Sequence, residues 1–141
     1  MKPIAVLDSA ALVAGIGWNA SDARRVLLLL ASRAFISVRT PWLTAEWTEV
    51  IERVSRELGW QNRNWPNWLD WIKNASVLVD DPPMRKIVRR DLKDDPVVAA
   101  AVSRGAQYLV AYDRDLLSPE KPYRVACVTL RAFLSAFLRQ P

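Results

Sequence analysis

The chain has 141 residues, of which 51% are hydrophobic and 25% charged, and this composition is typical of one soluble globular domain, residues 1–141. Its apolar runs are too short to cross a bilayer and its first residues lack a secretory signal pattern, so we expect no membrane association and a cytoplasmic location. The chain has no histidine and one cysteine. This composition excludes Ser-His-Asp triads, Cys-His pairs, His-ligated zinc and intrachain disulfides. Catalysis must therefore use carboxylates, lysines, hydroxyls or a bound ion, and the net charge of +5 favours a polyanionic partner.

Apolar patterns and capping residues predict alternating strands and helices in the first half of the chain. A short apolar run that ends at Asp8 is typical of a buried parallel strand. Ser21 is suited to cap one helix, and Thr40 precedes a proline that begins the longest helix, which Gly59 ends. We therefore expect strands over residues 4–7 and 35–38, a turn over 15–19, and helices over 23–34 and 41–58.

The second half of the chain continues the same alternation. A tryptophan-rich stretch contains Pro66, which is suited to the start of a short helix that runs to Lys73. Pro96 opens an Ala/Val-rich helix that ends near Gly105, and a final helix follows Thr129. Strands are expected over residues 77–79, 107–112 and 123–128. Strands separated by helices predict an α/β domain with three layers, α/β/α, around a central, mostly parallel twisted sheet.

Acidic residues follow the strands at the edge where ligands bind in such sheets. Asp8 and Asp113 each end an apolar strand, and Asp94 and Asp95 lie at a helix entrance on the same edge. Glu46 borders the apolar stripe of the longest helix, so it can face a cleft there. Grouped carboxylates without histidine or cysteine suit Mg²⁺ or Mn²⁺, and such an ion supports hydrolysis of phosphodiester bonds.

Several segments together resemble the PIN-domain superfamily, and within it the small prokaryotic toxin components of toxin–antitoxin pairs, the VapC-like ribonucleases. The resemblance implies a Mg²⁺- or Mn²⁺-dependent endoribonuclease in which Asp8, Glu46, Asp94 and Asp113 match the family's catalytic and metal-binding acids and Asp115 supports them. For the third acid, either Asp94 or the adjacent Asp95 can face the ion while the other caps the helix, and we favour Asp94. The resemblance also implies an RNA substrate, a small antitoxin protein that covers the cleft, and a homodimer. It is carried by residues 4–8, 44–53, 91–95, 99–102, 105–110 and 113–117, and therefore covers nearly the whole chain.

Two positions depart from the family pattern and leave an alternative open. Ala10 stands where the family usually has asparagine, and Ala111 stands where it often has a hydroxyl residue. Both changes remove polar groups near the expected site, and this favours a catalytically weak domain that binds nucleic acid or protein. A receiver-like phosphoacceptor domain shares the scaffold, but Asp8 lacks the acidic neighbour that this alternative needs.

Each acid also has a structural explanation. Asp94 or Asp95 is a good helix cap before Pro96, Asp8 can accept hydrogen bonds from nearby amides, and Glu46 can pair with a basic residue such as Arg53. The tryptophans have two explanations as well. Their spacing favours core packing, whereas stacking on unpaired RNA bases, with Arg56 and Arg63 on phosphates, is the alternative. The tryptophans of the tryptophan-rich stretch are Trp60, Trp65, Trp68 and Trp71.

Overall fold

The structure, a computed structural model, describes residues 2–18, 21–60, 64–81, 105–110 and 126–138. The helix expected from Pro96 to Gly105 lies almost wholly outside these ranges. No helix in the described part is both long and apolar enough to cross a membrane. In chain order the elements are β1 (Ile4–Leu7), α1 (Ser9–Gly17), α2 (Asp22–Ala31), β2 (Ile36–Arg39), α3 (Pro41–Leu58), α4 (Trp65–Ala75), β3 (Val77–Leu78), β4 (Tyr108–Val110), β5 (Ala126–Val128) and α5 (Leu130–Leu138).

The strands form one parallel sheet in the order β3-β2-β1-β4-β5. β1 lies at the centre, where Ala5 pairs with Ser37 of β2 on one side and with Tyr108 of β4 on the other. Three of its four residues are fully buried, as expected for a central strand of a parallel sheet with both faces covered. The three-layer α/β/α fold expected from the sequence is confirmed.

α2 begins after Ser21, and α3 begins after Thr40 and ends at Gly59, as the sequence indicates, although the helix expected over residues 23–34 ends earlier, at Ala31. The Ser21 hydroxyl accepts a hydrogen bond from the Arg24 amide at 3.0 Å, and the Thr40 hydroxyl accepts one from the Leu43 amide at 3.1 Å. Gly59 ends α3 in the left-handed conformation, at φ 66°. Each of these contacts satisfies backbone groups that a helix end leaves without an intrahelical partner.

The turn expected over residues 15–19 is wrong, because α1 continues through Gly17. The two glycines of this helix allow close packing rather than a turn. A Cβ atom on Gly15 would lie 2.6 Å from Cδ1 of Leu27, and one on Gly17 would lie 2.5 Å from Cζ2 of Trp60. Glycine is therefore required here because neighbouring elements approach the helix too closely for any side chain.

We expect Gly17→Ala to destabilise the protein by about 1–2 kcal/mol. Overpacking against the indole of Trp60 costs about 1–3 kcal/mol, and the better helix propensity of alanine recovers about 1 kcal/mol at most. Urea denaturation measures the difference. In a Trp60→Leu background the penalty of Gly17→Ala should shrink, since the ring that it meets is gone. An alanine variant as stable as the parent would contradict this packing argument.

The tryptophans pack against the core, as their spacing favours. Trp60 is only 4% exposed, whereas Trp65, Trp68 and Trp71 are half-buried against the core. The guanidinium of Arg24 lies 4.3 Å from the ring centre of Trp68, and its Nε donates to the carbonyl of Gly15 at 2.6 Å. This cation therefore connects the end of α1, the start of α2 and the outer face of α4.

Candidate active site

Asp8 lies where β1 ends and α1 begins. Its amide donates to the carbonyl of Val110 at 3.1 Å, which holds it beside the end of β4. Its Oδ1 accepts a hydrogen bond from the Ala11 amide at 2.8 Å and so caps α1. The residue is 7% exposed. The structural explanation of Asp8 as an acceptor of a local amide is thus confirmed.

Trp47 connects α3 to the end of β1. Its Nε1 donates to the carbonyl of Leu7 at 3.0 Å, and both residues are fully buried. The donor is adjacent in sequence to Glu46, and the acceptor is adjacent to Asp8. One buried hydrogen bond therefore fixes the backbone that carries one acid relative to the backbone that carries the other.

Glu46 is half-buried on α3. Burial, and secondly the negative charge of Glu49, raise the pKa of Glu46 above its ordinary value of 4.5. Arg53 pairs with Glu49, at 3.8 Å, and among the described residues no basic side chain pairs with Glu46. The alternative in which Glu46 pairs with Arg53 is therefore wrong, because Glu49 lies one helical turn before Arg53 and Glu46 does not.

The other acids expected at the site lie outside the described residues. These are Asp94, Asp95, Asp113 and Asp115. Within the described ranges, no group of three or more acidic or cysteine side chains could hold a metal ion. The described part of the site therefore consists of Asp8 and Glu46, and the convergence of the remaining acids stays a prediction.

The comparison with known families decides between the candidate domain classes. The PIN domain model matches residues 5–115. This chain belongs to the PIN-domain family. PIN domains are generally nucleases. Among curated proteins, none matches the sequence.

Two solved structures share the fold of this PIN domain. PAE2754 from Pyrobaculum aerophilum is 19% identical, with a TM-score of 0.69, and the match covers 98% of this chain and 91% of that one. VapBC2 from Rickettsia felis, bound to a DNA fragment from their promoter, is 15% identical, with a TM-score of 0.59, over 89% of this chain and 98% of that one. At these identities the likeness concerns the fold.

The donor set of this PIN domain suits a hard divalent cation. Asp8 and Glu46 supply carboxylate oxygens, which Mg²⁺ and Mn²⁺ prefer. A half-buried carboxylate with a raised pKa and no basic partner among the described residues is also a group whose charge a cation would stabilise. Ala10 lies in the first turn of α1, half-buried two positions after Asp8, and its side chain contributes no polar atom.

Two contacts at this edge of the sheet could not be expected from the sequence. The first is the bond from Trp47 to Leu7, for which the only signal was a tryptophan in the apolar stripe next to Glu46. The second is the hydrogen bond that the Trp42 amide donates to Oδ1 of Asp81 at 3.2 Å. It adds a second cap to the start of α3 from a residue 39 positions away in the sequence. Both depend on which segments pack together, and local patterns carry no information on that.

Proposed function

We propose that this PIN domain is a Mg²⁺- or Mn²⁺-dependent endoribonuclease and the toxin component of a toxin–antitoxin pair. The observation that supports this most is the pair of Asp8 and Glu46, whose backbones the Trp47–Leu7 hydrogen bond holds together at the carboxyl edge of the sheet. Ligands bind at this edge in parallel α/β folds. Family membership, the sequence resemblance and the net positive charge support the same proposal.

In this proposal Asp8, Glu46, Asp94 and Asp113 would hold the ion and Asp115 would support them. A bound ion supplies a Lewis acid for a phosphate oxygen and lowers the pKa of a bound water. The chain's own contribution is rigidity. Asp8 is fixed by its capping bond to Ala11 and by the position of β1 at the centre of the sheet, so its carboxylate needs little ordering when a ligand binds.

The partners and the location follow from the same proposal. The fold shared with VapBC2 and the resemblance to toxin components support a small antitoxin protein as partner. A cytoplasmic location is part of the same proposal. A co-expressed small DNA-binding protein that co-purifies with this chain would support the antitoxin partner. Homodimerisation through apolar helix faces is a further expectation, and a monomeric mass in light scattering would overturn it.

A second candidate function is a catalytically weak PIN domain that binds nucleic acid or protein. Ala10 favours it, because the residue two positions after Asp8 has no polar side-chain group to orient a ligand. The two candidates differ in turnover. Purified protein is incubated with single-stranded and structured RNA in Mg²⁺, Mn²⁺ or EDTA, beside an Asp8→Asn preparation made in the same way. Cleavage that requires both the metal and Asp8 supports the nuclease, whereas equal behaviour of both preparations supports the binding domain.

We expect Glu46→Gln to stabilise the metal-free protein at neutral pH. A raised carboxyl pKa means that the folded state holds the proton more tightly, so stability falls as pH rises from about 4.5 through the folded-state pKa. Glutamine removes that loss. In EDTA the melting temperature of the variant should exceed that of the parent at pH 7, and the difference should vanish as pH falls below 4.5.

Divalent ions should reverse the order of the melting temperatures, so that the parent becomes more stable than Glu46→Gln. Mn²⁺ stabilises a folded protein that binds it, and the variant lacks one proposed ligand, so it should gain less than the parent. Glu57→Gln is the matched control, because it changes the same charge at an exposed position three turns further along α3. If Glu46→Gln and the parent gain equally from Mn²⁺, Glu46 is not a ligand.

A further inference from the structure

A groove opens at the end of α3 that lies away from the two acids. Its lining includes Arg56, Trp60, Asn64, Trp65 and Pro66, from the end of α3 and the start of α4. Its volume is about 600 Å³, which is within the roughly 300–1,000 Å³ of small-molecule sites. The lining combines flat apolar rings with a cation and an amide, so it is suited to a planar ring that carries an anionic group.

The polar groups of this groove have capacity left for a ligand. Among the described residues, no acidic side chain lies within ion-pair distance of the exposed guanidinium of Arg56. Oδ1 of Asn64 accepts a hydrogen bond from Nδ2 of Asn67 at 2.7 Å, whereas the side-chain nitrogen of Asn64, a donor, bonds to no other residue in the described part of the chain. By contrast Arg53, one turn earlier on α3, pairs with Glu49.

The indole of Trp65 is half-buried, so part of it packs against the core while the rest lines the groove. Trp60, which is only 4% exposed, also contributes to the lining and lies edge-on against Trp18, with ring centres 5.9 Å apart. Because Trp65 is partly packed against the core, it has already lost side-chain freedom on folding, so a flat partner binds it with less further loss of side-chain entropy.

We propose that this groove binds an unpaired base and the adjoining phosphate of single-stranded RNA, with the base against Trp65 and the phosphate on Arg56. The proposal rests on the proposed ribonuclease function and names the form of its substrate. Ten residues separate Arg56 from Glu46 on α3, which is about 15 Å at the rise of a helix. The groove would therefore hold a nucleotide several positions away from the bond that is cut.

Single-stranded RNA suits the groove better than a duplex. Bases within a duplex are stacked and paired, so their faces cannot reach Trp65, whereas unpaired bases commonly stack on aromatic side chains and arginine planes. The mixed lining supports the same ligand, since a purely apolar peptide would leave the charge of Arg56 without a partner.

Binding of a labelled single-stranded RNA of about ten nucleotides, a length within the usual range of such sites, tests the proposal in EDTA, where no metal-dependent cleavage occurs. Trp65→Leu should weaken binding about tenfold, because stacking on one base is lost. Arg56→Gln should weaken binding and reduce the slope of log affinity against log salt by about 0.7, the value for one phosphate of a single strand.

Arg53→Gln is the matched control, because it removes the same charge from the same helix at a position outside the groove. It should leave the salt slope unchanged. The same RNA annealed to its complement should bind the parent and Arg56→Gln proteins alike. If Arg53→Gln and Arg56→Gln lose RNA affinity equally, the loss reflects the net charge of the protein rather than the groove, and the proposal is overturned. Unchanged RNA binding in both Arg56→Gln and Trp65→Leu would overturn it as well.

The outcome is separable from that of the proposed function. If the protein cleaves RNA with metal but both groove variants bind as the parent does, the groove proposal fails and the nuclease stands. If the groove variants lose RNA binding while the parent cleaves no RNA with either metal, the nuclease fails and the groove assignment stands.

Discussion

Asp8→Asn is expected to reduce RNA cleavage at least a hundredfold while leaving the protein folded. Loss of partners that merely orient metal ligands typically costs 10- to 100-fold, and the loss of a ligand itself should cost more. Asparagine is nevertheless as good a helix cap as aspartate, so the bond to the Ala11 amide that begins α1 can persist. Initial cleavage rates and urea denaturation of the same preparations measure the two effects.

Asp8→Ala separates the two roles of this residue. It removes the carboxylate and the cap together, so it should lose activity as Asp8→Asn does and also lose about 1 kcal/mol of stability. The account is contradicted if Asp8→Asn retains parental activity, since Asp8 would then serve only to begin the helix. It is also contradicted if Asp8→Asn unfolds, because a structural role alone would then explain the lost cleavage.

Trp47→Phe is expected to destabilise the protein by about 2–4 kcal/mol. The Leu7 carbonyl would lose its donor in a fully buried position, which costs about 1–3 kcal/mol, and the smaller ring leaves a cavity that adds to this. Because the bond joins the backbones that carry Asp8 and Glu46, the stabilisation by Mn²⁺ should also shrink. Denaturation with and without Mn²⁺ measures both quantities.

Trp42→Phe provides the control on the same helix. Trp42 is 36% exposed and the substitution removes the same atoms, so its cost should stay within about 0.5 kcal/mol. Equal costs for the two variants would show that Trp47 contributes only through apolar area. A Trp47→Phe protein that keeps the full Mn²⁺ effect would show that the acids are positioned without this bond.

The parts of the fold that could be predicted depend on local chemistry. Thr40 before Pro41 begins a helix because its hydroxyl reaches an amide three residues ahead, and Gly59 ends that helix because it adopts a positive φ at low cost. The position of Asp8 after a buried strand follows from the apolar run before it. Neighbours in sequence determine each of these features, so the sequence alone was sufficient.

The parts that could not be predicted depend on contacts between distant segments. From the sequence, Gly17 resembled a turn residue. The reason for glycine at this position is the close approach of Trp60, which is 43 positions away in the chain. Likewise, the bond from Trp47 to Leu7 spans 40 residues. Helical periodicity placed Glu46 at the border of the apolar stripe, but its raised pKa depends on how deeply the packed elements bury it.

The central claim is tested most directly by removing the divalent ion from a single preparation of the parent protein and then returning it. The initial rate of cleavage of one labelled RNA is followed in Mn²⁺, after excess EDTA, and after Mn²⁺ or Mg²⁺ is returned in excess of the chelator. The account predicts that EDTA abolishes cleavage and that either ion restores it. Cleavage that continues in EDTA, or an absence of cleavage with both ions across single-stranded and structured RNA, would contradict it.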